Sequence, residues 1–166
     1  ATIIQHNTSG FASLAEKNIT SAKDFEGKAY GGWGLPFEEA TIKTLMAKEN
    51  ADFSKVKMIN IGETDQVASL LQGDIDFVWI FYAWAGIQAE INDVQLNMIW
   101  LKDVEPVLDY YTPIIITGEK MIREKPEIVR RFMKAVSEGY TFAAENPAEA
   151  AEILISNAPE VSPNLI

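Results

Sequence analysis

Three stretches carry residue types that could do chemistry. The first is Tyr30-Gly31-Gly32-Trp33-Gly34-Leu35-Pro36-Phe37-Glu38-Glu39. Glycines between a strand and a helix let the backbone take positive φ and approach a guest closely. A helix start adds unpaired N–H groups at the positive end of its dipole. That geometry suits a polar or anionic group. Glu38 and Glu39 favour the same dipole end, and glycine turns are common in α/β folds, so a ligand loop and a plain tight turn both stay open. No Gly-Lys-Ser/Thr follows, which excludes a Walker loop, and the dinucleotide fingerprint is incomplete.

The second stretch is Trp79-Ile80-Phe81-Tyr82-Ala83-Trp84, whose rings could sandwich a flat heterocycle. Trp79 and Phe81 could equally alternate into a core with Ile75 and Phe77, whereas Tyr82 and Trp84 lie past the predicted strand end and are the better candidates for contact. The third stretch is His6-Asn7-Thr8-Ser9-Gly10. His6 is the only histidine; as a base it would need a nucleophile and an orienting acid beside it, and a structural role is the favoured reading. Asn7, Thr8 and Ser9 supply donors and acceptors for a small polar ligand or for capping a turn. Asp74, Asp76 and Glu90 read as parts of a solvated acidic face.

The elements that must position these residues alternate. Strands are predicted over 28–33, 56–61, 75–82 and 94–101. Helices are predicted over 36–47, from a cap at Thr64 to a stop at Gly73, and over 83–91. This βαβαβαβ rhythm predicts a mostly parallel sheet flanked by helices. Ligands of such sheets bind outside the carboxyl ends of the strands, which puts the glycine turn and the aromatic run on one rim. Residues 1–6 and 110–117 also read as strands, Pro113 pushing the latter to an edge. Beyond them only helices are predicted. Pro126 opens one whose Ile128, Phe132, Val136 and Tyr140 form a single apolar stripe. Asn146-Pro147-Ala148-Glu149 announces another, with Asn146 as cap and Glu149 reaching back.

The 166 residues are 48% apolar, which supports a sizeable core without a staple. The 24 Asp and Glu outnumber the 14 Lys and Arg, a net charge of −10, so the protein's field repels phosphate backbones and nucleic acid is a poor partner. The absence of cysteine excludes disulfides, thiolate metal sites and a cysteine nucleophile, and a lone histidine excludes paired-histidine metal motifs. No apolar run approaches membrane-span length.

Taken in order, IIQHNTSG, DFEGKAYGGWGLPFEEATIKTLM, VASLLQGDIDFVWIFYAWAGI and YYTPIIITGEKMIREKPEIVRRFMKAVSEGYTFAAENPAEAAEIL resemble the extracytoplasmic substrate-binding proteins of bacterial ABC importers. The similarity lies within the nitrate/sulfonate/taurine-like group, and most with the branch that binds the thiamine precursor formylaminopyrimidine. The resemblance implies a periplasmic-binding-protein-like fold of type II, two-lobed in the family and about twice this length, so that the chain reads as a fragment lacking most of the first lobe. Residues 1–117 would form the second lobe with both hinge-crossing segments, and residues 118–166 the helices that normally pack on the first.

The resemblance further implies no catalysis, no cofactor and no metal. It implies a small ligand, delivery to ABC permease subunits, and a place in the periplasm or lipid-anchored at the outer face of the cell membrane. By position the ligand loop matches Gly32, Trp33, Gly34 and Pro36, the strand-end contacts match Trp79, Phe81 and Tyr82, and the hinge turn matches Asn7; Trp84 joins them as a rim aromatic. Ala85 stands where an acidic or polar residue is expected, which keeps riboflavin and sulfonate- or nitrate-like ligands open. A regulator's effector-sensing domain is a further reading. A pyrimidine synthase that consumes its own histidine is another, opposed by the absence of cysteine. The stripe through Phe132, Val136 and Tyr140 predicts self-association or helix exchange between copies.

Overall fold

The computed structural model describes residues 1–62 and 64–158, and the chain divides into two compact units, Thr2–Pro113 and Ala1 with Ile114–Ile166. In the first unit, strands β1 (Ser9–Leu14), β2 (Ala29–Gly32), β3 (Lys57–Asn60), β4 (Phe77–Phe81) and β5 (Leu96–Trp100) form one sheet in the order β3-β2-β4-β1-β5. β2 is parallel to β3 and β4, while β1 is antiparallel to both β4 and β5. Four strands therefore run one way, as the alternating pattern predicts, and β1 runs against them between β4 and β5.

β1 is the strand the pattern did not foresee. Its Ser-Gly start reads locally as a turn, yet Gly10 is there because a Cβ would lie 2.6 Å from the Ile99 carbonyl of β5. The backbones approach too closely for a side chain. The strands expected over 1–6 and 110–117 are not formed; only single bridge residues occur, at Thr2 and Ile114. Ile3 N–H donates to the Pro113 carbonyl at 3.2 Å, and in the other unit Ala1 and Ile115 exchange two hydrogen bonds of 2.8 Å. With only these few pairings available, each segment stays short of a ladder.

The helices follow their local signals. Pro36 opens α1 (Pro36–Lys48) at a position where its missing N–H costs nothing. α2 (Gln66–Gln72) is capped by Asp65, whose Oδ1 accepts from Ala68 N–H at 3.0 Å, one residue later than the expected Thr64. It ends at Gly73 in the left-handed conformation. After β4 the chain makes one wide turn, Tyr82–Gly86, with π-helical bonding before α3 (Ile87–Ile91), and β5 runs directly into α4 (Leu101–Val104).

Alternation along β4 sends Phe77 and Trp79 to one face of the sheet and Val78 and Ile80 to the other. The first face holds an aromatic core: Phe11 meets the rings of Phe25, Tyr30, Phe77 and Trp79 at 5.3–5.9 Å, and Phe25 stacks on Phe77 at 4.0 Å. Each such buried ring contributes roughly 1.5–3 kcal/mol. Exposed ion pairs such as Lys43–Glu39 contribute about 0–1 kcal/mol. Burial of rings, not surface charge, holds the rim in place.

The second unit carries α5 (Glu119–Glu124), α6 (Pro126–Glu145) and α7 (Pro147–Asn157), none of which has a buried residue. Ile128, Phe132 and Tyr140 are each more than half exposed along one stripe of α6. Asn146 does not cap α7 with its side chain as expected. Its Nδ2 instead donates back to the Phe142 carbonyl at 3.1 Å, closing α6.

Candidate functional site

Because β2, β3 and β4 run parallel and β1 runs against them, the ends of β2, β3 and β4 and the start of β1 share one edge of the sheet. Trp33, Asn60, Phe81 and Asn7 stand at or beside those ends. The glycine loop at this edge is closed from within. Glu38 is 1% exposed, in the first turn of α1. Its Oε1 accepts from the Tyr30 hydroxyl at 2.7 Å and from Trp33 N–H at 3.2 Å, and its Oε2 accepts from Leu35 N–H at 2.8 Å.

Gly32 makes room for that carboxylate, since a Cβ would lie 2.6 Å from Glu38 Oε1. Burial, then the hydrogen bond to Glu38, holds the Tyr30 hydroxyl far above the ordinary phenol range. Gly34 takes φ +77°, where a Cβ would meet the Asn60 side chain at 2.8 Å. A cavity of about 300 Å³ adjoins the loop, lined by Gly32, Gly34, Glu38, Glu39, Met58 and Asn60. Two of the amides that the sequence offered to a guest anion, those of Trp33 and Leu35, are occupied by the chain's own carboxylate.

The aromatic run divides three ways. Trp79 is 2% exposed and lies in the core, its indole tilted against Phe11 at 5.4 Å and edge-on to Phe37 at 5.5 Å. Its Nε1 meets no protein acceptor among the described residues. Phe81 emerges on the same side of the strand as Trp79 and is 45% exposed. Tyr82 turns to the other face, its ring 5.0 Å from that of Trp100 and its hydroxyl donating to Glu90. That hydrogen bond, with some burial, raises the Tyr82 hydroxyl pKa. Gly86 permits this fold-back, because a Cβ there would overlap the Tyr82 ring. Trp84, within the wide turn, is 55% exposed.

Asn7 is fully buried and works as a clip. Its Nδ2 donates to the Leu108 carbonyl at 2.7 Å, its Oδ1 accepts from Ser9 N–H and Oγ–H, and its own N–H donates to Asp109 Oδ1 at 2.8 Å. His6 Nδ1 lies 2.8 Å from Asp109 Oδ2. The His6 hydrogen bond and the Asn7 N–H hold Asp109 below the ordinary carboxylate range. The Ser9 hydroxyl donates to Asn7 and not to His6.

The loops at this edge place Trp33, Gly34, Pro36, Phe81 and Trp84 where a guest can reach them, while Asn7, Gly32 and Trp79 lie beneath and Tyr82 is tied to Glu90. Sequence reasoning missed the Glu38–Tyr30 pair and the role of Asp109. Glu38 had a local signal, the spacing of a carboxylate three residues after the residue preceding the helix; Asp109 had none, being more than a hundred residues from Asn7. The loops 7–9, 32–36, 60–66 and 81–86 contain no Lys or Arg. These four loops can therefore stack and hydrogen-bond a flat group and hold no counter-ion of their own for a full negative charge, while Lys102, just past the end of β5 at the same edge, helps hold the Asp109 carboxylate charged.

Residues 1–150 match the model of the family described as NMT1/THI5 like. The formylaminopyrimidine-binding protein of Halalkalibacterium halodurans is 26% identical over 170 residues, a match that covers 100% of this chain and 50% of that protein. The chain thus spans about half the length of the curated relative it matches. Among solved structures, the periplasmic aliphatic sulphonate binding protein of Escherichia coli superposes with a TM-score of 0.67 at 11% identity, over 98% of this chain and 54% of that one. The desulfurization enzyme DSZB superposes with a TM-score of 0.60 at 15% identity, over 97% of this chain and 60% of its own. These likenesses establish a periplasmic-binding-protein-like α/β fold.

Proposed function

The chain belongs to the NMT1/THI5-like family, and from that premise we propose that it is the second lobe, with its C-terminal helices, of a two-lobed solute-binding protein of an ABC importer. In this reading it works outside the cytoplasm, captures a thiamine pyrimidine precursor such as formylaminopyrimidine, and presents it to permease subunits without chemical change. Ligand contacts to both lobes favour the closed form over the open one, which is how occupancy is signalled. Trp33, Phe81 and Trp84 stack the ring, and Gly34 and Pro36 shape the loop against it.

The observation that carries the reading is the closure of the glycine loop by Glu38. A sulfonate or nitrate would meet the Trp33 and Leu35 amides already engaged by a buried carboxylate, and no cation in the loops that follow β2, β3 and β4, while Lys102 after β5 lies by Asp109. An uncharged aminopyrimidine meets neither obstacle and finds aromatic faces. The similarity to a formylaminopyrimidine-binding protein supports the same ligand class.

The test is a tryptophan-fluorescence titration of the chain with formylaminopyrimidine, riboflavin and taurine in parallel. Saturable quenching by formylaminopyrimidine and none by taurine is the expected result. Saturation by taurine alone would refute the argument from Glu38.

A further inference from the structure

One side-chain atom is out of keeping with the rest of the site: the Trp79 indole N–H is buried and no protein atom among the described residues accepts from it. Buried donors in native proteins are almost always paired, and an exception calls for a use. Trp79 stands two residues before the end of β4, at the sheet edge shared by Trp33 and Phe81. Its backbone is held there by Gln66, whose Nε2 donates to the Trp79 carbonyl at 3.3 Å. The indole packs edge-on against Phe37, a ring in the first turn of α1 that is itself half exposed.

We propose that the Trp79 indole N–H is the donor with which this lobe reads an acceptor atom of its ligand, and that Phe37 is the side chain that moves to admit it. The inference rests on the reading of the chain as one lobe of a binding protein for a flat, uncharged heterocycle, and narrows that class. The surroundings of Trp79 are apolar, the Glu38 carboxylate is bonded to the adjoining loop, and no Lys or Arg stands in the loops that follow β2, β3 and β4. A single N–H in such a place selects a neutral acceptor, a ring nitrogen or a carbonyl oxygen, over an anion. Trp79 is then a hydrogen-bond donor to the ligand, not a stacking platform, and ligands that differ only in carrying that acceptor are told apart by this residue.

The chain has four tryptophans, so four indole N–H resonances report on the whole protein in ¹⁵N-labelled form. They are assigned with single Trp→Phe variants, and formylaminopyrimidine is then titrated. The Trp79 resonance is expected to move downfield on saturation. Replacing the Trp79 indole by benzothiophene, which keeps the shape and lacks the N–H, is expected to weaken binding about fivefold while the urea midpoint holds or rises. Phe37→Ala is expected to speed solvent exchange of the Trp79 N–H in the free protein.

Binding that leaves the Trp79 resonance in place, or that survives the benzothiophene replacement undiminished, overturns the donor role alone. Unchanged exchange in Phe37→Ala overturns the cover. If no indole resonance shifts saturably with formylaminopyrimidine, this inference falls together with the proposed function.

Discussion

Replacing Glu38 by alanine tests how the glycine loop is held, and its cost can be worked from three hydrogen bonds. The substitution leaves the Tyr30 hydroxyl, 1% exposed, without an acceptor in the core, which costs about 1–3 kcal/mol. It also removes the acceptor for Trp33 and Leu35 N–H at the start of α1, a capping loss of about 0.5–2 kcal/mol because water replaces part of it. The sum is about 3 kcal/mol, large beside a typical domain stability of about 5–15 kcal/mol.

The assay is urea unfolding followed by tryptophan fluorescence, read as a fall in midpoint at constant slope. Tyr30→Phe is the control that isolates the buried pair. Alone it is expected to cost about 1 kcal/mol, but in the Glu38→Ala background it removes an orphaned hydroxyl and is expected to be neutral or stabilising. Glu38→Ala also bares two amides at a helix start and should confer a saturable response to taurine that the parent lacks. A Glu38→Ala midpoint within about 0.5 kcal/mol of the parent, or strictly additive effects of the two substitutions, would refute the reasoning.

Asn7→Ala is expected to destabilise by about 2–3 kcal/mol, since it strips a buried clip that joins Leu108 to Ser9; urea unfolding measures it, and a loss of ligand affinity without loss of stability would instead make Asn7 a contact residue. Acid should weaken the fold below the ordinary carboxylate range, because the Thr20 N–H above all lowers the folded pKa of Asp24, and His6 that of Asp109. Depressed carboxylates contribute stability fully above their unfolded pKa, about 3.9, and lose it as pH falls through the lower folded values. The urea midpoint should therefore be level from neutrality to about pH 4 and drop below it, less steeply in Asp24→Asn; a drop between pH 7 and 5 would contradict this. The stripe of Ile128, Phe132 and Tyr140 on α6 is expected to drive self-association that light scattering detects as a mass rising with concentration and that Phe132→Glu abolishes. A monomer at all concentrations would count against it.

Much of the site was legible because its signals are local. Pro36 and Gly73 mark helix ends through φ alone, and the uninterrupted apolar run of β4 announces a strand covered on both faces. Parallel strands then put the glycine loop and the aromatic run on one edge before any coordinate is known. What escaped is what depends on partners far along the chain. Ser9 and Gly10 look like a turn until β5 is seen to need Gly10, and Tyr82 looks like a rim residue until Gly86 and Glu90 fold it back.

The sequence by itself determined the alternating α/β order, the location of the rim, and the exclusion of cysteine and paired-histidine chemistry, all of which follow from residue type and short-range spacing; the family came from the resemblance of its motifs to those of known proteins. Only the tertiary structure decided that β1 runs antiparallel between β4 and β5, that Asn7 is a clip, and that Trp79 is buried with no acceptor for its N–H among the described residues. Only it showed that Glu38 turns inward to occupy the amides of its own loop. The physical reason is that a donor's vacancy or occupancy is settled by which atoms the packed chain brings within hydrogen-bond reach, and spacing along the sequence carries no record of that distance.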